Sequence, residues 1–189
     1  MDTTLTLVII VAAIVVGAAL VWYLQQQRSR RLRERFGTEY ERTRAEVGNV
    51  RRAEEHLAAR EQRVQKLHIR ALNADETARF SEVWRHVQTL FVDDPQGAIR
   101  EADHLVNDVM SAKGFPMADF RQRSADISVD HPNVVQHYRV AKEIAERNES
   151  NGASTEDLRQ AVIHYRALFD DLLVQKPTEL KPAHAGGKS

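Results

Sequence analysis

Leu5 to Leu24 read LTLVIIVAAIVVGAALVWYL, and three glutamines lead from there into RSRRLRER, which sets arginine at 28, 30, 31, 33 and 35. The run carries 20 residues and no charged side chain. Wound as an α-helix at about 1.5 Å per residue it is roughly 30 Å long, the thickness of the hydrocarbon core of a bilayer. Residues 5–24 are therefore expected to form a transmembrane helix. A cleaved signal peptide needs a basic leading segment, a shorter apolar centre and a small-residue cleavage site. Here Met1-Asp2-Thr3-Thr4 comes first, and Trp22-Tyr23 stands where small residues would be wanted. A buried helix of a soluble protein seldom runs so far without charge and then meets an arginine cluster.

Orientation follows from the arginines, because basic residues near a span are retained on the cytoplasmic side. Five follow the run and only Asp2 precedes it. The expectation is a single-pass protein of the plasma membrane with residues 1–4 outside and everything from Gln25 onward in the cytoplasm. Trp22 and Tyr23 suit the inner interface, where amphipathic rings settle. Ala13 and Gly17 make a small-xxx-small pair compatible with a weak homodimer. Arg28, Arg30, Arg31, Arg33 and Arg35 are candidate contacts for anionic lipid headgroups, each worth about 1 kcal/mol near such a surface. The alternative is that they only set topology.

Outward from the run, charge divides the chain. The totals balance at 27 Lys+Arg and 27 Asp+Glu, yet residues 28–70 hold 13 basic against 7 acidic and residues 71–189 hold 14 against 19. A basic collar thus adjoins the membrane and an acidic domain lies further along. That domain has no aromatic-plus-basic motif, which disfavours nucleic acid as a partner. There is no cysteine, so disulfides, thiolate nucleophiles and cysteine-based zinc sites are excluded. Arginine supplies 21 of the basic residues, a composition in keeping with a bacterial, GC-rich coding background.

Residues 25–72 are expected to form a basic juxtamembrane segment and one long stalk helix, centred on 38–66. Phe36, Thr43, Val50, Leu57, Val64 and Ala71 recur every seventh position. The companion line of Tyr40, Val47, Glu54, Glu61 and His68 turns charged, which leaves half of a coiled-coil seam. Gly48-Asn49 interrupts it. From residue 73 the pattern becomes that of an all-α domain, expected as a four- or five-helix bundle over 73–175. Phe80, Val83, Trp84, Val87, Leu90 and Phe91 form one helix face after Asn73-Ala74-Asp75. Asp94-Pro95 starts a second helix that Gly114 ends. A short segment from Pro116 to Asp126 follows. Asp130-His131-Pro132 is expected to open a helix with Val134, Val135, Tyr138, Ala141 and Ile144 inward. Ser154-Thr155-Glu156-Asp157 starts the last helix. Residues 176–189, rich in proline and glycine, are expected to be disordered.

Several of these landmarks carry a resemblance. They are Phe36-Gly37-Thr38-Glu39-Tyr40, Leu67-His68-Ile69-Arg70, the stretch from Trp84 to Val87 followed by Phe91 to Pro95, Ser128-Val129-Asp130-His131-Pro132, and Thr155 to Ala161 with His164-Tyr165-Arg166. In them the chain resembles, over nearly its whole length, a group of uncharacterised (hypothetical) bacterial membrane or secreted proteins with an N-terminal anchor and a helical domain. That resemblance implies the architecture and no activity.

The sequence lacks the phosphate-loop, dinucleotide, serine-elbow and zincin motifs, so no catalytic residue and no cofactor is assigned. His104 and Asp108 share a helix face with Asp103 close by, but two residues are too few for a metal site, and a solvated helix face is the expected reading. His137 and His164 fall at the edges of apolar faces, where a hydrogen-bonded boundary histidine is the ordinary case and a pH-sensing one the alternative. Asp93, Asp94, Asp130 and His131 are candidate partner-surface residues at helix junctions, although capping alone accounts for their types. The expected function is a non-catalytic membrane-anchored adaptor or scaffold holding an unidentified protein partner at the membrane. A ligand- or metal-responsive sensor is the first alternative, and an enzyme without a recognisable motif the second.

Overall fold

The computed structural model describes residues 3–150 and 152–174. The segment expected to be a disordered tail falls outside them. All regular structure among the described residues is helical, in eight helices. The first, α1 (Thr3–Phe36), runs unbroken for 34 residues from the apolar stretch through the arginines. Every described side chain from Leu7 to Leu24 is exposed. It is the one helix among the described residues long and apolar enough to cross a membrane. The chain divides into two compact units, one of residues 1–66 and 125–133, the other of residues 67–124 and 134–189.

In the N-terminal unit the expected single stalk helix is corrected to a helical hairpin. α2 (Thr38–Val47) ends at Gly48, whose φ of 69° is the left-handed conformation that closes helices, with its N–H donating to the Arg44 carbonyl. Asn49 then caps α3 (Val50–Val64) by accepting the Arg52 N–H. Two left-handed-tolerant residues in succession thus both stop one helix and start the next. The helices fold back on each other, held by Tyr40 Oη donating to Glu54 at 2.9 Å and by Arg60 on Glu39 at 3.0 Å. Phe36, Thr43, Leu57 and Val64 of the seven-residue line are buried, whereas Val50 and Ala71 are exposed. The half seam is spent within the molecule.

The last six residues of α6 (Phe120–Asp130) belong to this unit. Asp126 receives Arg63 at 2.9 Å and Asp130 receives Arg35 at 3.2 Å, while Ile127 and Val129 are buried. The helix starts four residues later than Pro116, where the Asp119 carboxylate accepts the Gln122 N–H. The reading of Asp130 as a helix opener is also corrected. Asp130 closes α6, because Pro132 lacks an N–H and biases His131 away from the helical region. The following helix begins at Val135 with no side-chain cap.

The second unit contains α4 (Ala74–Asp93), α5 (Pro95–Lys113), α7 (Val135–Glu149), α8 (Thr155–Leu173) and the first turn of α6. Asn73 and Glu76 form a reciprocal capping box on α4, and Ser154 and Asp157 form one on α8. Asp94 caps α5 by accepting the Gly97 N–H at 2.8 Å, with Pro95 in the first turn. α5 packs on α4, α7 and α8, and α7 packs along α8. Trp84 of α4 stacks on Phe169 of α8, ring centres 5.1 Å apart. Lys113 is buried and donates its ammonium to the Leu172 carbonyl at 2.8 Å, satisfying one of the orphan acceptors at the end of α8. Residues 125–133 of the expected 73–175 bundle thus group with the other unit.

Candidate functional site

Three groups of side chains carry chemistry, one in the N-terminal unit and two in the second. The first is the arginine collar. Arg31 donates to both carboxylate oxygens of Glu61 at 2.7 Å, and Arg35 reaches the same carboxylate at 3.0 Å. Glu61 is buried on α3. Arg35 continues to Asp130, so one chain of alternating charge ties α1 to α3 and to the end of α6. Arg30 pairs with Glu34 one turn on, and Arg33 lies 5.2 Å above the Tyr40 ring with Glu41 at 3.9 Å. Arg28 alone of the five makes no ion pair among the described residues. It lines an open cleft of about 1240 Å³ between α1 and α3, together with Tyr23, Gln27, Gln62 and Gln65. All five candidate headgroup contacts are exposed, and four of them also have an acidic neighbour within the unit.

The candidate partner-surface residues separate into two pairs. Asp93 is exposed at the last position of α4, and Asp94 is committed to capping α5. Asp130 is engaged by Arg35, and the His131 N–H donates to the Ile127 carbonyl at 2.8 Å. The first pair lies in the second unit and the other in the N-terminal unit.

The second group sits where α5, α7 and α8 meet. Asp103 accepts Tyr165 Oη at 2.8 Å on one oxygen and Lys142 Nζ at 3.0 Å on the other, and Asn107 Nδ2 stands 3.4 Å from the latter. The Asp103 and Lys142 side chains are only 17% and 16% exposed. Tyr138 and Tyr165 have no accessible surface. Burial, with Asp103 facing it, pushes the Tyr165 hydroxyl far above the usual phenol value. Burial likewise pushes Tyr138 up to about 12, against the lowering influence of Arg123. Both phenols stay protonated, and Tyr165 is the one that donates. Tyr138 Oη, Asn107 Oδ1 and Arg123 Nε are buried without a protein partner, so the cluster is incompletely satisfied.

Sequence reasoning placed Tyr138 and Tyr165 on apolar faces and mentioned Asp103 only beside His104. The signal was spacing. Asp103 falls on the stripe Ile99, Ala102, Val106 and Met110, all buried, and Lys142 follows Tyr138 by four. His104 and Asp108 are exposed on the opposite side of α5.

The third group is a pair of imidazoles. His137 of α7 and His164 of α8 bring their Nδ1 atoms within 2.8 Å, with ring centres 5.0 Å apart. Both are half-buried, and burial first, then His137, holds His164 below the ordinary histidine value. Their placement at the edges of apolar faces was legible, but their meeting was not, since it depends on how the two helices register.

Comparison of the chain with protein-family models, with curated proteins and with solved structures finds no match.

Proposed function

We propose that the chain is a single-pass membrane-anchored helical adaptor or scaffold that holds a protein partner at the membrane without catalysis, its N-terminus outside the plasma membrane and its helical units in the cytoplasm. The observation that carries this reading is the continuity of α1. The uncovered apolar run passes without a break into Leu32 and Phe36, which are buried in the N-terminal unit, and Arg31 and Arg35 grip Glu61 alongside them. A span joined in this way to a packed unit fixes the position of that unit at the membrane surface, where a flexible linker would leave it to wander. The exposed arginines 28, 30, 31, 33 and 35 are placed to meet anionic headgroups, Arg28 with no ion pair among the described residues to give up. Asp93 and Asp94 are the exposed candidate partner contacts, and of the two Asp94 is committed to a cap.

The absence of cysteine makes orientation testable. With Thr3→Cys or Ser189→Cys as the only thiol, a membrane-impermeant reagent on intact cells is expected to label the first, and the second only after lysis. Labelling of Ser189→Cys in intact cells reverses the orientation. For the adaptor role, a photo-crosslinking residue in place of Asp93 should give one discrete adduct. The captured protein should leave the membrane fraction when residues 5–24 are deleted, and an unchanged distribution rules the role out.

The second reading, a metal- or ligand-responsive domain, is favoured by one specific observation, the contact between His137 and His164 in the seam of two packed helices.

A further inference from the structure

Two imidazole nitrogens 2.8 Å apart form a hydrogen bond only if one offers a lone pair to the other's N–H, so at least one ring is neutral. The pair has no carboxylate to orient it from its own helices. The positions one turn away within the helices are Val140 and Ala141 on α7, and Gln160, Ala161, Ala167 and Leu168 on α8, none of them charged. Ala141, Ala161 and Leu168 are buried, so the seam around the rings is packed and the rings are not free to drift apart.

We propose that His137 and His164 form an interhelical two-imidazole site for a late first-row divalent cation, Cu2+ before Ni2+ or Zn2+, with water completing the coordination shell. Metal–nitrogen bonds of about 2.0–2.1 Å put two neighbouring ligand nitrogens roughly 2.9–3.4 Å apart. To admit the ion the rings part by a few tenths of an ångström and tilt from their present head-on contact, so that both lone pairs converge on it. The ring that now donates moves its hydrogen from Nδ1 to Nε2 by exchange with solvent, which leaves both Nδ1 lone pairs on the ion and releases no net proton. The choice of ion follows from the donors. Imidazole suits copper, nickel and zinc, and affinity among them peaks at Cu2+. Structural zinc takes four protein ligands, whereas no group of three or more metal-ligating side chains occurs among the described residues. A tetragonal ion content with two nitrogens and water fits better.

The proposal gives the metal-responsive reading a ligand, and rests on it only for what occupancy would do. The test uses the full chain in detergent, titrated with Cu2+ and followed by electron paramagnetic resonance. One equivalent should bind with the hyperfine pattern of two nitrogens, and His137→Gln and His164→Gln should each weaken it about tenfold or more. Equal affinity in the parent and both variants overturns the site and assigns the copper to other histidines. A second measurement covers variants that misfold. Cu2+ should slow diethylpyrocarbonate modification of His137 and His164 in the unaltered chain more than that of His104, and uniform protection overturns the proposal as well. If copper binds as expected but hydrogen exchange along α7 and α8 and crosslinking from position 93 stay unchanged, the site stands and the responsive reading fails.

Discussion

Tyr138 and Tyr165 are phenols of equal burial in opposite hydrogen-bonding situations. Tyr165 supplies one of the three bonds that hold the Asp103 carboxylate, whereas the Tyr138 hydroxyl has no protein acceptor and only the Arg123 guanidinium beside it. A buried polar atom costs free energy when its partner is removed, and costs little to remove when it had none. Tyr165→Phe should therefore destabilise the chain by about 1–2 kcal/mol, and Tyr138→Phe should be neutral or stabilising within about 0.5 kcal/mol. Urea unfolding in detergent followed by circular dichroism compares the two directly. Equal losses would mean that the hydroxyls are not distinguished in this way. At the helix starts, the Arg70 guanidinium and the Asn73 N–H hold Glu76 down at about 2, and Arg159 and Gln160 do the same for Glu156. A carboxylate held below its unfolded value binds fewer protons in the folded state, so its contribution is complete above the ordinary glutamate range and is lost as pH falls from there toward about 2. The double variant Glu76→Gln/Glu156→Gln should accordingly lose less of its thermal midpoint between about pH 4.5 and 2 than the parent does.

Among the elements, glycines with positive φ separate backbone strain from crowding. Gly48 has φ of 69° and open space where a side chain would go. Gly114 has φ of 93°, and a Cβ there would stand 2.5 Å from the backbone oxygen of His68. Gly48→Ala should cost about 1 kcal/mol, the left-handed penalty alone. Gly114→Ala adds a clash with backbone that cannot swing aside, and should cost about 3 kcal/mol or more. Thermal unfolding of the two variants side by side measures the difference. The same two glycines mark what the sequence makes legible. Gly114 ends a strongly amphipathic helix, and its role, like the caps at Asn73, Asp94 and Ser154, was readable because local chemistry decides it. Gly48-Asn49 was visible as an interruption, but whether a helix continues past a glycine or folds back depends on partners such as Glu54 and Glu61, which are distant in sequence or look like solvated charge. Pro132 stopped α6 where the adjoining aspartate suggested a start. The polar cluster was hidden for a related reason. Tyrosine counts as apolar in a periodicity, and an aspartate or lysine on a buried stripe is noticed only when its partner is known.

For the whole molecule, chain order and packing order differ. Residues 125–133 lie between two stretches of the second unit yet group with residues 1–66. Within the N-terminal unit this segment is held by Arg63 on Asp126 and Arg35 on Asp130, and its Ile127 and Val129 are buried. A fragment cut at the apparent boundary, residues 67–189, would keep these four residues and discard the arginines that face them. Asp126 would lose Arg63 and Asp130 would lose Arg35, and the helix would lose the tertiary support that short helices depend on. Amide hydrogen exchange over 125–130 in that fragment should accelerate toward the unprotected rate, while α8, whose caps and whose bond to Asp103 lie within 67–174, should stay protected. Equal protection of 125–130 in fragment and full chain would show that this stretch folds without the N-terminal unit. The acceleration would instead mean that the N-terminal unit, through Arg63 and Arg35, is part of what orders the end of α6, and that the protein has to be studied with that unit attached.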